Sequence, residues 1–85
     1  MEQVIGRVDW ITRIKEWCDA NRRSKPKYLT LEEDFEYEHI FIAWLTIDNH
    51  TENGRGVSKK ESMAEAARKM MAYLSRIEAE ETASG

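Results

Sequence analysis

The spacing of apolar and polar residues predicts a helix near the start of the chain. One face of that helix would carry Trp10, Ile11, Ile14, Trp17 and Cys18, which recur at the three- and four-residue intervals of an amphipathic helix. Asp9 precedes them and is a favourable N-cap residue. Because a residue that precedes proline disfavours the helical region, the helix should end before Ser24-Lys25-Pro26.

The middle of the chain predicts three strands. Residues 27–33 and 39–47 are rich in apolar, β-branched and aromatic side chains, and a third strand with poorer propensity is expected at 51–54. Residues 34–38 would form a loop between the first two strands. Asp48-Asn49-His50 has the composition of a tight turn and therefore predicts a hairpin.

A second helix is predicted over residues 58–77. Ser58 and Glu61 have the spacing of a capping box at its start. Its buried stripe would consist of Ala66, Ala67, Met70, Met71, Leu74 and Ile77. Residues 78–85 have little apolar content beyond alanine, so we expect a flexible acidic tail.

The predicted order is helix, three strands, helix, which is an α+β fold of the α-β-β-β-α type. The simplest packing is a three-stranded antiparallel sheet with both helices on one face. A chain of 85 residues is long enough for one small core. We therefore expect one domain over residues 9–77, with an N-terminal extension at 1–8 and the tail at 78–85.

Composition makes several classes of protein improbable. Cys18 is the only cysteine, so an internal disulfide is impossible and an intracellular location, in the cytoplasm or the nucleus, is expected. The longest apolar run, residues 40–45, is too short to span a membrane. Cys18, His39 and His50 lack metal-ligand spacing, and no nucleophile–base pair is evident. We expect no catalysis, no cofactor and no membrane partner.

Charge is strongly segregated along the chain although the net charge is only −3. A net negative chain is not a general polycation, so binding to any nucleic acid through bulk charge is not expected. The distribution carries more information than the sum. The acidic group lies at the end of the first predicted strand and in the loop after it, and comprises Glu32, Glu33, Asp34, Glu36 and Glu38.

The segment Gly54-Arg55-Gly56-Val57-Ser58-Lys59-Lys60-Glu61 is the strongest functional signal. It places Lys59 and Lys60 in the first turn of a capped helix. A helix start has free N–H groups and partial positive charge, which favour anions and mildly disfavour lysine. The two lysines there therefore predict a contact with phosphate.

Together these segments resemble a double-stranded RNA-binding domain. The matching pieces are Glu16-Trp17-Cys18, Pro26-Lys27-Tyr28, Phe41, the Gly54-to-Glu61 segment and Ala66-Ala67. The resemblance covers residues 9–77. It implies a module that reads A-form shape by contacting two successive minor grooves and the phosphates between them.

The resemblance also implies which residues would contact RNA. Thr12 and Glu16 correspond to the positions that enter a minor groove. Apart from the resemblance, the charge of Arg13 on the same helix suits an auxiliary phosphate contact. Lys59 and Lys60 correspond to the residues that grip phosphates, with Arg55 as a further basic contact preceding them. The loop between the first two strands would enter the next minor groove.

Two departures from the family pattern weaken this expectation. The family's glycine-proline-x-histidine loop is absent, and the acidic group occupies that interval, where carboxylates would repel phosphates. His39 is out of register with the family histidine. Met63 occupies the position of a third basic residue, although some members of the family also lack it.

The second strand suggests a different surface. If Phe41, Ala43, Leu45 and Ile47 face the helices, strand geometry sends Ile40, Ile42 and Trp44 to the opposite face. An exposed apolar patch there would indicate a protein partner or a homodimer. Two functions therefore remain open, a double-stranded RNA-binding module and a protein-interaction module that has weak or lost RNA binding. We favour the first.

Overall fold

The computed structural model describes the backbone of residues 9–84 and their side chains, except those of Phe35 and of residues 82–84. The predicted extension at residues 1–8 lies outside the described residues, as does Gly85. The elements in chain order are α1 (Trp10–Ala20), β1 (Lys27–Phe35), β2 (Glu38–Ile47), β3 (His50–Gly56) and α2 (Lys59–Ser84). The strands form one antiparallel sheet in the order β1-β2-β3. The predicted α-β-β-β-α fold is confirmed.

The core lies between the helices and one face of β2. Ala43, Leu45 and Ile47 are buried on that face, as the alternation of β2 predicted. From the helices come Ile14, Cys18, Ala66, Ala67, Met70 and Leu74. Burial raises the pKa of the Cys18 thiol, which behaves as a small apolar side chain.

Two glycines of β3 allow α2 to lie directly against the sheet. A Cβ added to Gly54 would lie 2.5 Å from the carbonyl oxygen of Ser62, and one added to Gly56 would lie 2.9 Å from the backbone nitrogen of Ser62. Ser62 is itself fully buried, and its hydroxyl donates to the carbonyl of Lys59 at 2.7 Å. The start of α2 is therefore held tightly against the end of β3.

Contacts at the other end of the molecule join α1, α2 and the β2–β3 turn. The indole N–H of Trp17 donates to the carboxylate of Glu78 at 3.0 Å, and Arg23 pairs with Asp48 at 2.8 Å. The ring of His50 stacks on that of Tyr73 with centroids 3.5 Å apart. Glu78 thus belongs to the folded helix, because α2 continues to Ser84 instead of ending near residue 77 as the sequence predicted.

The largest difference from the sequence-based prediction concerns residues 34–38. They were expected to form a loop, but β1 continues to Phe35 and β2 begins at Glu38. Only Glu36 and Tyr37 form the turn, and Glu36 adopts a positive φ of 58°. The first two strands therefore make a long hairpin with an acidic tip.

One polar group of β1 is buried without compensation. The hydroxyl oxygen of Tyr28 has no hydrogen-bond partner among the described residues. Burial raises the pKa of Tyr28 to about 12. Its ring packs against the core beside α1.

Neither described helix is long and apolar enough to cross a membrane. Within residues 9–84, no group of three or more His, Cys, Asp or Glu side chains is arranged to hold a metal ion.

Candidate nucleic-acid interface

The start of α2 is a capped helix terminus that presents two exposed lysines. The hydroxyl of Ser58 accepts a hydrogen bond from the backbone N–H of Glu61 at 3.1 Å, as the predicted capping box requires. The carboxylate of Glu61 accepts from the backbone N–H of Val57 at 3.0 Å, one residue earlier than in the standard box. Lys59 and Lys60 are both exposed in the first turn. Their ammonium groups therefore lie at the positive end of the helix dipole.

The start of α1 is capped by Asp9, as predicted. The Asp9 carboxylate accepts from the backbone N–H of Thr12 at 3.1 Å and from the Thr12 hydroxyl at 2.8 Å. These hydrogen bonds from Thr12 lower the pKa of Asp9, with a further contribution from the charge of Lys60. The Thr12 hydroxyl has thus already donated its hydrogen within the protein, and its lone pairs remain able to accept.

The two helix starts lie side by side. A shallow groove between them is lined on one side by Asp9, Trp10 and Ile11, and on the other by Ser58, Lys60, Glu61 and Ala64. Thr12 and Glu16 are exposed one turn apart on the outer face of α1. The structure therefore brings Asp9 and the first residues of α1 close to Lys60, while Thr12 and Glu16 lie on the outer face of the same helix.

Arg13 is exposed next to this groove, and its guanidinium carbon lies 5.9 Å from the centre of the Trp10 ring. That distance permits a cation–π contact that would restrict the guanidinium to the same end of α1.

Arg55 lies on a different surface. It is paired with Ile42 across the β2–β3 ladder, whereas its neighbours Gly54 and Gly56 contact α2. Because successive strand residues point to opposite faces, Arg55 projects from the sheet face away from the helices. The structure thus separates Arg55 from Lys59 and Lys60, a result that depends on register and could not be seen in the sequence.

The acidic hairpin projects from the end of the molecule where α2 begins. Gly56, the last residue of β3, pairs with Phe41, so the pairs from Ile40 outward have no third strand beside them. Those three rows extend about 10 Å beyond β3. The hairpin occupies the place that the family resemblance assigns to the second RNA-contacting loop.

His39 lies within the acidic group of the hairpin. Its ring contacts the carboxylates of Glu32 and Asp34, and its Nδ1 lies 2.5 Å from the Asp34 oxygen. The hydrogen bond with Glu32, followed by that with Asp34, raises the pKa of His39. The ring also meets Phe41 edge to face at 5.4 Å between centroids. A protonated His39 would offset part of the negative charge of the hairpin.

The open sheet face carries an apolar patch that is larger than the sequence indicated. Ile40, Ile42 and Trp44 are on that face, as predicted, and each is partly buried. Leu29 pairs with Trp44 and Leu31 pairs with Ile42, which places both leucines in the same patch. They are 67% and 46% exposed. The alternation of Tyr28, Leu29, Thr30 and Leu31 could have revealed them, once Tyr28 was assigned to the core side.

Comparison with solved structures decides the fold. The first dsRBD of the protein HYL1 has a TM-score of 0.66 and 20% identity to this chain, covering 75% of this chain and 93% of that one. The chain has the fold of a double-stranded RNA-binding domain (dsRBD). A structure of Arabidopsis HYL1 gives a TM-score of 0.69 at 19% identity over 78% and 96% of the two chains. The second dsRBD of DRB4 gives 0.64 at 16% identity over 80% and 97%.

The similarity of this chain to dsRBDs is found by comparing structures and not by comparing whole sequences. No protein-family model matches the chain, and no curated protein matches it either. At 20% identity or less, the feature that these structures share with the chain is the fold. The α1 face, the first hairpin and the start of α2 occupy the positions at which the resemblance placed the three RNA-contacting surfaces.

Proposed function

We propose that this chain is a double-stranded RNA-binding module that reads A-form shape and phosphates without sequence specificity. The observation that carries the proposal is the start of α2, where Lys59 and Lys60 are exposed on a Ser58-capped helix beside the first turn of α1. We assign this module no catalytic role. The buried, unpaired Cys18 suits a reducing compartment inside the cell, in the cytoplasm or the nucleus.

Each proposed contact has a distinct role. Lys59 and Lys60 would bind phosphates across the major groove, with the backbone N–H groups of the first turn beside them. Thr12 and Glu16 would accept hydrogen bonds in a minor groove, where RNA offers 2′-hydroxyls and exocyclic amines. Arg13 would contact a neighbouring phosphate. Arg55, on the other sheet face, would at most bind a second segment of RNA.

The decisive experiment is a titration of the chain with a blunt RNA duplex of about 20 base pairs at two salt concentrations, with a DNA duplex of the same sequence as control. We expect RNA-selective binding that weakens with salt. A Lys59→Ala/Lys60→Ala variant should lose roughly tenfold or more in affinity and show a salt slope shallower by about two.

The matched control is Lys69→Ala/Arg76→Ala, which removes the same charge from α2 away from its start. This variant should bind RNA nearly as well as the parent chain. Equal losses of RNA affinity in both variants would show that only the net charge matters. That result would overturn the proposed contact of Lys59 and Lys60 with phosphates. Absence of RNA binding by the parent at low salt would overturn the function itself.

A second candidate function is a protein-docking module that uses the open sheet face. The specific observation is the patch of Leu29, Leu31, Ile40, Ile42 and Trp44, which ends beside the acidic hairpin. In this case the hairpin carboxylates would have replaced an RNA-contacting loop, and RNA binding would be weak. Trp44→Glu should then abolish partner binding, while an unchanged oligomeric state and partner binding would count against this function.

A further inference from the structure

We propose that two copies of this chain pair antiparallel through the outer edges of their β1 strands, giving a continuous six-stranded sheet. The proposal names both a surface, the free edge of β1, and an occupant, the same strand of a second copy. It uses neither the start of α2 nor the outer face of α1, so it does not depend on RNA binding.

The outer edge of β1 is open to another strand. β2 covers only one side of β1, and no backbone hydrogen bond outside the sheet and helices involves residues 27–35 in the described part of the chain. Strands with an uncovered edge are templates for pairing with another chain. Pro26 lacks a backbone N–H and directly precedes β1, which sets one end of the stretch able to pair.

The side chains of β1 make one antiparallel register self-complementary. If Thr30 lies opposite Thr30 of a second copy, Leu29 lies opposite Leu31 and Lys27 lies opposite Glu33. All four residues, Lys27, Leu29, Leu31 and Glu33, project from the open sheet face. Two apolar pairs and two opposite-charge pairs therefore form across the new interface, each a stabilising kind of cross-strand pair.

The exposure of the two leucines supports this register. Leu29 is 67% exposed and Leu31 is 46% exposed, and each has an apolar cross-strand neighbour only on the β2 side, Trp44 and Ile42 respectively. A second β1 strand would supply the missing neighbour on the other side. It would thereby join the apolar patches of the two copies into one surface.

Alternative arrangements lack this complementarity. A parallel pairing of the same two edges would turn the open faces of the two copies to opposite sides of the sheet, so the leucines of one copy could not meet those of the other. An antiparallel pairing centred on Leu29 or Leu31 would set leucine against lysine or glutamate. The other free edge belongs to β3, His50–Gly56, which offers no aliphatic side chain for pairing.

The pairs between Lys27 and Glu33 provide a specific test, because the two charges can meet only when two copies associate. Lys27 and Glu33 lie six residues apart on one strand, a separation of about 20 Å, beyond a Debye length at physiological salt. They can interact directly only between copies. Lys27→Glu and Glu33→Lys alone would each create two repulsive pairs, whereas the double variant would restore both attractive pairs with reversed polarity.

We would measure oligomeric state by sedimentation equilibrium on nucleic-acid-free protein from micromolar to millimolar concentration. The parent chain should form a dimer that weakens with salt. Each single variant should weaken the dimer by roughly tenfold or more. The double variant should recover the parent's dimerisation, and an equimolar mixture of the two single variants should form a heterodimer.

Two controls keep the outcome specific. Glu38→Lys reverses a charge on the inner strand β2 and should leave dimerisation unchanged. Thr30→Cys should form an intermolecular disulfide under mild oxidation because position 30 lies opposite itself, whereas Thr51→Cys on β3 should not. Cys18 is buried and does not compete.

A parent chain that stays monomeric at millimolar concentration would overturn the proposal, as would a double variant that fails to recover the dimer. Circular dichroism of each variant would identify loss of fold, and both charged positions, Lys27 and Glu33, are exposed. The same variants would be titrated with the RNA duplex. Loss of dimerisation with RNA binding intact, or the reverse, would separate this inference from the proposed RNA-binding function.

Discussion

At the scale of single residues, Asp9 has two effects that oppose each other at the candidate interface. Its carboxylate caps α1 through Thr12, which stabilises the fold. The same carboxylate lies close enough to Lys60 for the two charges to interact. A negative charge is thereby placed beside the lysine that would bind a phosphate, which weakens the local attraction for RNA.

Two substitutions separate the cap from the charge. Asp9→Asn keeps a good cap and removes the charge, so the free energy of unfolding should change by less than about 0.5 kcal/mol and RNA affinity should rise. Asp9→Ala should show a similar rise in affinity but cost about 1 kcal/mol of stability. Urea unfolding and the duplex titration measure both effects, and weaker RNA binding by the Asn variant would contradict the assignment.

His39 makes the hairpin sensitive to pH. Hydrogen bonds with Glu32 and, to a smaller extent, with Asp34 raise the pKa of His39. The folded state therefore holds the proton more tightly than the unfolded state does. Its stabilising contribution is complete below the unfolded pKa of about 6.5 and is lost as pH rises through the folded pKa.

We therefore expect the NMR titration of the His39 ring to have a midpoint above 6.5. Glu32→Gln should lower that midpoint more than Asp34→Asn does, because the bond with Glu32 is the larger cause. Thermal unfolding should occur at a slightly higher temperature at pH 6 than at pH 8 for the parent, and this difference should shrink in His39→Gln. A midpoint at or below 6.5 would refute this account.

At the scale of elements, the contact between β3 and α2 depends on the absence of a side chain at Gly54. The space that a Cβ would need is filled by backbone atoms of Ser62 and Ala66, which cannot rotate away. An added methyl group would have to displace the start of α2 from the sheet, including the turn that holds Lys59 and Lys60.

Gly54→Ala should therefore destabilise the fold by about 1–3 kcal/mol or more. It should also weaken RNA binding, since the lysines would shift with the helix. Asn53→Ala, on the same strand but facing the other way, should cost less than about 0.5 kcal/mol. Denaturant unfolding of the two variants tests the difference, and similar stabilities would argue against close helix–sheet packing at Gly54.

The sequence predicted the order and type of all five elements, because apolar spacing, the caps and the turn residues act locally. It missed the length of the hairpin, since glutamate and aspartate have low strand propensity and the pairing of residues 34–35 with β2 is a tertiary effect. It also placed the end of α2 near residue 77. The bond between Trp17 and Glu78 joins two distant helices, so no local pattern could indicate it.

At the scale of the whole molecule, opposite charges are concentrated near one end. The start of α2 presents lysines, while the hairpin that projects beyond β3 carries the acidic group. An RNA duplex that lies across both would meet attraction at the first surface and repulsion at the second. Under the proposed function, the balance between them would set the affinity for the duplex.

Neutralising the tip of the hairpin should strengthen RNA binding. Glu36→Gln/Glu38→Gln should raise duplex affinity severalfold and steepen its salt dependence, because two repulsive charges near phosphates disappear. These positions leave the β1 edge and the contacts of His39 unchanged. Glu80→Gln/Glu81→Gln, near the far end of α2, is the matched control and should have little effect. Equal gains in both variants would indicate a net-charge effect only.

The candidate site could be predicted from sequence only where it is local. Lys59 and Lys60 follow directly from the capped helix start, and the outward face of α1 follows from its apolar stripe. The position of Arg55 depends on strand register, and the exposure of Leu29 and Leu31 depends on which strand lies at an edge. The approach of Asp9 to Lys60 requires the packing of two helices that lie far apart in the chain.

The buried hydroxyl of Tyr28 provides an absorbance signal for unfolding at alkaline pH. With a folded pKa of about 12 against an unfolded value of about 10, ionisation of this phenol does not affect stability below pH 10, and the fold loses stability as pH rises from 10 toward 12. Unfolding in this range would release a proton and produce the near-ultraviolet absorbance of phenolate. A stopped-flow jump to high pH should thus show a slow absorbance phase that matches the loss of helical circular dichroism, and Tyr28→Phe should remove it.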